Sequence, residues 1–129
     1  MPSVLYVDDE ETISRAVARW FERRGHVVHI ARSVDEAKRI LLHHSPDAIF
    51  IDVWLGTESG FELMSWIQDV RGRLADRVTF VTGELADSID YGQRIWRTLG
   101  RPVLQKPFDL SQLEAQAYDY QAAQRSSST

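Results

Sequence analysis

The feature that most constrains this chain is the segment Ala48–Asp52, in which four apolar residues are followed by a carboxylate. A short, continuously apolar run of this kind is typical of a strand that is buried on both faces of a parallel sheet. An acid at the end of such a strand lies at the carboxyl edge of the sheet, where open α/β folds place their ligands. We therefore expect Asp52 to lie at a functional site on this edge.

Four further strand-like segments alternate with segments of helical periodicity. The strand-like segments cover residues 4–7, 26–30, 78–81 and 103–104. After each strand, apolar residues recur every three or four positions, as at Ile13, Val17 and Phe21 in the first helix. A fourth helix is expected over residues 86–99, and Asp109 is expected to cap the last one. Five strands alternating with five helices predict an α/β fold with a doubly wound parallel sheet.

The order of the strands is limited by the handedness of their connections and is chosen here by its match to a known pattern. Right-handed crossovers leave few topologies open for a (βα)5 chain. Among these, the flavodoxin-like strand order 2-1-3-4-5 places strands 1 and 3 side by side. We predict this order, which brings the acids that follow strand 1 next to Asp52.

The length and charge of the chain indicate one soluble domain. Of its 129 residues, residues 1–123 are expected to form this domain and the polar, Ser-rich residues 124–129 a disordered tail. The net charge of −4 lacks the basic excess of nucleic-acid binders, and the absence of cysteine excludes disulfides and thiolate metal sites. Residues 1–3 lead directly into a strand without the basic region or cleavage pattern of a signal peptide, and no apolar run approaches membrane-spanning length. We expect a cytoplasmic protein that neither binds nucleic acid directly nor inserts into a membrane.

Side chains with matching chemistry follow four of the five strands. Asp8 and Asp9 follow strand 1, Asp52 ends strand 3, Thr82 follows strand 4 and Lys106 follows strand 5. Gathered carboxylates repel each other unless a cation joins them, and Mg²⁺ prefers carboxylate and phosphate oxygens. A carboxylate can also be the nucleophile that forms an aspartyl phosphate, while a lysine and a hydroxyl meet the charge on the phosphoryl oxygens. The set therefore predicts a phosphoryl-transfer site.

Each of these residues also has an ordinary structural explanation. Asp8 and Asp9 suit the N-terminus of a helix, Thr82 can bond its own backbone, and Lys106-Pro107 reads as a surface turn. The joint arrangement at four strand ends is much more specific than any single match. We therefore favour the functional interpretation.

The same residues lie in four motifs that resemble those of response-regulator receiver domains, over residues 4 to about 117. These motifs are Val7-Asp8-Asp9-Glu10, Ile51-Asp52 with Gly60 eight residues later, Val81-Thr82-Gly83, and Lys106-Pro107-Phe108. The resemblance implies that Asp52 accepts a phosphoryl group from a phosphohistidine on a histidine kinase or a histidine phosphotransfer protein. Such a domain is a signalling switch that catalyses only its own phosphorylation and dephosphorylation.

The resemblance also implies a role for each residue of the site. Asp8, Asp9 and Asp52 would bind Mg²⁺ together with the backbone carbonyl of Trp54. Thr82 and Lys106 would contact the phosphoryl oxygens, and the peptide bond between Lys106 and Pro107 would be cis.

A downstream protein target would bind the face formed by the fourth helix, the fifth strand and the fifth helix. Trp96 is a candidate contact on that face, because it falls one residue away from the predicted core residue Ile95. Arg94, Arg97 and Arg101 are candidates for a basic strip beside it.

Three positions depart from the pattern of the family. Val103 stands three residues before the lysine, where receivers have their switch aromatic, so the usual coupling between that aromatic and Thr82 is expected to differ. Gly56 replaces a common proline, which predicts a more mobile loop after Asp52. Trp54 occupies the position that influences how fast the phosphate is hydrolysed.

Other classes of protein fit the sequence less well. A degenerate receiver that acts as a phosphorylation-independent interaction module is the main alternative, favoured by Val103 and disfavoured by the intact acids, Thr82 and Lys106. A phosphatase of the haloacid dehalogenase kind needs an Asp-x-Asp motif after strand 1, where Asp8 is followed by another Asp and a Glu. A flavin carrier needs a phosphate-binding loop there. A stand-alone regulator and a receiver from a hybrid kinase or larger regulator both fit the sequence.

Overall fold

The computed structural model describes residues 1–83 and 100–127. The strands in these ranges are β1 (Ser3–Val7), β2 (Val27–Ala31), β3 (Ala48–Asp52), β4 (Trp54–Leu55), β5 (Glu58–Ser59), β6 (Val78–Thr82) and β7 (Val103–Gln105). The helices are α1 (Glu11–Arg23), α2 (Val34–His43), α3 (Gly60–Val70) and α4 (Leu110–Ser127), and a 3-10 helix spans Gly72–Arg77. The helix expected over residues 86–99, with Trp96, Arg94 and Arg97, lies outside the described residues.

The main sheet has five strands in the order β2-β1-β3-β6-β7, and every pairing within it is parallel. The predicted order 2-1-3-4-5 is therefore confirmed, because β4 and β5 form a separate short hairpin. Val7 of β1 is level with Ile51 of β3, and Asp52 is level with Val81 of β6. The residues that follow these strands consequently meet at one edge.

Two apolar layers cover the sheet, because alternate residues of each strand point to opposite faces. On one face, Val4 and Tyr6 of β1 belong to the layer that contains Phe21 of α1 and Leu113 of α4. On the other face, the core contains the apolar residues of α2 and α3. All five residues of β3 are buried, as the continuous apolar run predicted.

The C-terminal end of the chain differs from the prediction. Disorder was expected from Gln124 onward, but α4 continues to Ser127, and the side-chain amide of Gln124 donates a hydrogen bond to the carbonyl of Asp47 at 3.0 Å. A polar composition does not prevent this, since a helix that is already docked through Leu113 and Tyr120 gains one backbone hydrogen bond for each added residue. The assignment of residues 1–123 to one domain stays a prediction.

The helices in the described part of the chain are not of the membrane-spanning type. Within residues 1–83 and 100–127, none combines the length and the apolar character needed to cross a bilayer.

Candidate functional site

Four charged side chains meet at the carboxyl edge of the sheet. The Lys106 ammonium lies 2.9 Å from Oδ2 of Asp8, 2.9 Å from Oδ2 of Asp52 and 3.1 Å from Oε1 of Glu10. Asp8 follows β1, Asp52 ends β3, and Lys106 follows β7, so the strand order brings them together. The backbone N–H of Lys106 donates to the carbonyl of Thr82, and the peptide bond between Lys106 and Pro107 is cis, as predicted.

Asp52 is buried, with only 5% of its surface exposed. Its Oδ1 accepts a hydrogen bond from the backbone N–H of Trp54 at 3.1 Å, and its Oδ2 accepts one from Lys106. Burial raises the pKa of Asp52 to about 6, with the charge of Asp8 acting in the same direction and the bonds from Lys106 and Trp54 opposing it. The carboxylate is therefore held in place by two donors but is poorly solvated.

Lys106 keeps its charge in this setting. Burial by itself lowers the pKa of a lysine, but hydrogen bonds and charge attraction from Asp52 and Asp8 outweigh it and raise the pKa of Lys106 above its usual value. Its side chain is 8% exposed. A buried, permanently charged ammonium beside two carboxylates is suited to binding an anionic group that joins them.

Asp8 is fully buried and accepts hydrogen bonds on both of its oxygens. Oδ1 accepts from the backbone N–H of Glu10 at 3.0 Å, and Oδ2 accepts from the hydroxyl of Tyr6 at 2.7 Å. The sequence interpretation did not include Tyr6 in the site. The available signal was a single polar group within the apolar run of β1, two residues before Asp8 and hence on the same face of the chain.

Carboxylate oxygens from Asp8, Glu10 and Asp52 lie within 4.8 Å of one another. Two or three carboxylates at one sheet edge fit a hard divalent cation such as Mg²⁺, which takes oxygen ligands. Glu10 was predicted only as part of the acidic motif, and the structure brings it into the cluster. The carboxylate of Asp9 instead lies beside the turn at Gly56, where an added Cβ would be 3.5 Å from its Oδ2.

Three other residues that the sequence analysis singled out are Thr82, Trp54 and Val103. Thr82 is buried, and its hydroxyl has no hydrogen-bond partner among the described residues. Trp54 begins the β4–β5 hairpin and is 49% exposed. Val103, at the position of the family's switch aromatic, packs against the core that contains Phe80. The role of the Trp54 carbonyl as a metal ligand stays a prediction.

The Asp52→Asn variant is expected to be more stable than the natural protein above about pH 7 in the absence of divalent cations. Burial raises the pKa of Asp52 from 3.8 to about 6, so the unfolded chain releases this proton at a lower pH than the folded chain. The folded state therefore loses stability as the pH rises from about 4 to 6, and asparagine removes that loss. The shift corresponds to about 3 kcal/mol.

Urea denaturation in the presence of a chelator at about pH 4 and about pH 8 measures this effect. The free energy of unfolding of the variant should exceed that of the natural protein at the higher pH, and the two values should converge at the lower pH. A stability difference that is the same at both pH values would contradict the prediction.

Comparison with known proteins identifies the class to which this site belongs. The family model of the response regulator receiver domain matches residues 4–118. The response regulator Rre1 of Synechocystis is 30% identical over 129 residues, which cover 98% of this chain and 54% of Rre1. This chain spans about half or less of the length of the first curated relatives that it matches.

Solved structures agree with this result. The receiver domain of NtrX from Brucella abortus is 27% identical, with a TM-score of 0.77 over 91% of this chain and 96% of that one. A response regulator from Burkholderia pseudomallei, solved with a phosphorylated aspartic acid, a calcium ion and citrate, is 26% identical, with a TM-score of 0.75 over 96% of this chain and 73% of that one. Because the family model spans both the sheet and the acidic edge, this chain belongs to the response regulator receiver domain family and is a signalling domain rather than a metabolic enzyme.

Proposed function

We propose that this domain accepts a phosphoryl group on Asp52 from a phosphohistidine of a histidine kinase or a histidine phosphotransfer protein. The observation that supports this most directly is the Lys106 ammonium, which lies 2.9 Å from both Asp52 and Asp8 at the carboxyl edge of the sheet. The related Burkholderia pseudomallei protein was solved with a phosphorylated aspartic acid. The same chemistry at Asp52 would make this domain a phosphorylation-dependent switch.

In the proposed reaction, a carboxylate oxygen of Asp52 forms a bond with phosphorus while the bond between phosphorus and the imidazole nitrogen breaks. The electron pair of that bond stays on the imidazole, which takes up a proton from solvent. The phosphoryl group carries its charge on three oxygens, and positively charged or hydrogen-bonding groups must meet them. Lys106 supplies one such group, and it remains charged because its pKa is raised by the two carboxylates.

The hydroxyl of Thr82 is the second donor in this proposal. It is buried at the end of β6, the strand that pairs with β3, and lacks a hydrogen-bond partner in the described part of the chain. A buried hydroxyl without a partner costs free energy, which is recovered when a ligand oxygen accepts from it. Thr82 thus favours the phosphorylated form of the domain.

Asp8, Asp52 and either Asp9 or Glu10 are the residues that would hold Mg²⁺. The cation supplies charge neutralisation for the phosphoryl oxygens when it is bound. Asp8 and Asp52 are each held by backbone N–H groups that would remain after Lys106 engages the phosphoryl group. The protein itself therefore orients two of the proposed ligands.

The proposal includes the fate and the readout of the phosphoryl group. The domain catalyses only its own phosphorylation and the later hydrolysis of the aspartyl phosphate. It does so in the cytoplasm, where a histidine kinase obtains its phosphoryl group from ATP. A downstream protein target then binds the face that contains β7 and α4. Rre1, the relative that aligns over 98% of this chain, is described as a response regulator.

Intact-protein mass spectrometry after incubation with Mg²⁺ and acetyl phosphate tests the proposal. The natural protein should gain one phosphoryl adduct, which is lost in the presence of a chelator. The Asp52→Asn variant should gain none, while Asp69→Asn, a control at an exposed acid on α3, should behave as the natural protein does. If the natural protein gains no adduct, the interaction-module interpretation replaces the phosphoacceptor proposal.

A further inference from the structure

We propose that Tyr6 is a positioning residue for the metal-binding carboxylate of Asp8: its buried hydroxyl holds Asp8 in the orientation that binds the divalent cation. This inference rests on the proposed function, because it concerns the same Mg²⁺ site. It assigns a role in that site to a residue of the hydrophobic core.

The contact between the two side chains is direct and buried. The Tyr6 hydroxyl donates to Oδ2 of Asp8 at 2.7 Å, and neither residue has any exposed surface. The tyrosine ring packs against the Phe108 ring in a T-shaped arrangement, with centroids 6.4 Å apart and planes at 70°. Phe108 lies two residues after Lys106, so the ring that supports Tyr6 belongs to the same segment as the ammonium of the site.

The hydrogen bonds of Asp8 show what the hydroxyl contributes. Its Oδ2 is shared by the Tyr6 hydroxyl and the Lys106 ammonium, while its Oδ1 accepts from the backbone N–H of Glu10. When Lys106 turns to a phosphoryl oxygen, Tyr6 remains as the donor to Oδ2. One donor on each oxygen then fixes the plane of the carboxylate, which is what a metal ligand requires.

The chemistry of the surrounding layer supports a role beyond packing. Tyr6 lies in an apolar cluster with residues such as Val17, Phe21 and Leu113, where phenylalanine would fill nearly the same volume. A buried hydroxyl disfavours folding unless it is hydrogen-bonded, and this hydroxyl bonds to Asp8.

Partners of this kind control metal affinity, because they set the orientation of the ligand. Their loss typically weakens metal binding by about 10- to 100-fold. We expect the Tyr6→Phe variant to bind Mn²⁺ about 10-fold more weakly, where Mn²⁺ is a probe with the same preference for carboxylate ligands as Mg²⁺. At saturating metal, its rate of phosphorylation by acetyl phosphate should remain within about twofold of the natural rate, since Asp8 is then held by the cation.

Tyr120→Phe is the matched control. Tyr120 is also a mostly buried tyrosine whose hydroxyl is hydrogen-bonded, here to Thr79 at 2.6 Å and to the carbonyl of Val78 at 3.1 Å. These partners lie at the beginning of β6, and the site lies at its end. The control therefore loses the same chemical group without touching Asp8, and its Mn²⁺ affinity should stay within about twofold of the natural value.

Electron paramagnetic resonance of free Mn²⁺ measures the dissociation constants, Mg²⁺ competition relates them to the physiological cation, and circular dichroism verifies that each variant is folded. Replacement of Tyr6 by 4-aminophenylalanine, which keeps a hydrogen-bond donor at the same position, should restore the affinity. An unchanged dissociation constant in Tyr6→Phe, or an equal increase in Tyr120→Phe, would overturn the role of Tyr6.

The same experiment separates this inference from the proposed function. If the natural protein binds Mn²⁺ but acetyl phosphate does not phosphorylate it, the phosphoacceptor proposal fails and the comparison of dissociation constants still decides the role of Tyr6. If the natural protein binds no Mn²⁺, the metal site and the role of Tyr6 are both excluded.

Discussion

Replacing Lys106 with alanine is expected to reduce the rate of Asp52 phosphorylation by about 100- to 1,000-fold, which is typical for the loss of one preorganised donor to a developing negative charge. The ammonium of Lys106 lies 2.9 Å from Oδ2 of Asp52 and carries the one positive charge of the described cluster. Without it, the phosphoryl oxygens lose a charged donor, and only the Thr82 hydroxyl and the bound cation remain to offset the repulsion from the carboxylates of the site. Phosphorylation by acetyl phosphate, followed by intact mass over time, measures the rate.

Lys38→Ala is the matched control for this experiment, because Lys38 is the other lysine of the chain. It lies on α2, and its ammonium lies over the ring of Trp66 on α3, 5.9 Å from the centroid. Lys38→Ala should be phosphorylated at the natural rate. A Lys106→Ala variant that reacts as fast as the natural protein would exclude Lys106 from the reaction.

Lys106→Arg separates charge from geometry within the same prediction. Arginine keeps the positive charge, but its planar fork does not occupy the compact position of an ammonium between Asp8 and Asp52. We expect this variant to react more slowly than the natural protein and faster than Lys106→Ala. A rate equal to that of Lys106→Ala would mean that the position of the charge matters more than its presence.

Replacing Gly60 with alanine is expected to destabilise the protein by about 3 kcal/mol, the upper part of the range for overpacked cores. A Cβ at this position would overlap the backbone carbonyl oxygen of Asp52 and lie 2.9 Å from Cγ2 of Ile51. The neighbour that must move is a central strand rather than the end of a flexible side chain. Since that strand carries Asp52, phosphorylation of the variant should slow as well.

Gly72→Ala is the control for this substitution. An added Cβ at Gly72 would meet no atom within 4 Å, and its backbone does not have a positive φ. We expect its stability to stay within about 1 kcal/mol of the natural value. Urea denaturation of the three proteins compares the free energies of unfolding, and equal stability of Gly60→Ala and Gly72→Ala would refute the proposed overlap.

Gly60 belongs to the sequence motif of Asp52, in which a glycine lies eight residues after the acid. The structure shows why this position requires glycine. The β4–β5 hairpin reverses the chain after Asp52, and the backbone N–H of Gly60 then donates to the carbonyl of Val53 at 2.7 Å. The first residue of α3 therefore rests against the strand that ends at Asp52, where only glycine fits.

The sequence did not distinguish the roles of the neighbouring acids in the motif after β1. Asp8, Asp9 and Glu10 are adjacent acids, and their spacing alone does not reveal which side chains turn toward Asp52. Glu10 occupies the N-cap position of α1 with an extended backbone, φ −79° and ψ 105°. This conformation lets the side chain of Glu10 reach Lys106, whereas that of Asp9 lies beside Gly56.

The sequence by itself determined the order of the five strands of the main sheet and the edge at which the candidate site lies. Apolar runs and helical periodicity encode burial directly, and parallel strands bring their carboxyl ends together whatever the details of packing. Asp52 and Lys106 are far apart in the chain, yet their meeting followed from this rule alone.

Only the tertiary structure decided which neighbours each group contacts. The hydrogen bond from Tyr6 to Asp8, the inclusion of Glu10 in the cluster and the helical residues beyond Gln124 depend on rotamers, local dihedral angles and docking. These quantities depend on the packing of many side chains at once, and the periodicity of apolar residues in the sequence does not reveal them. The sequence therefore specified the chemistry of the site, and the fold specified its geometry.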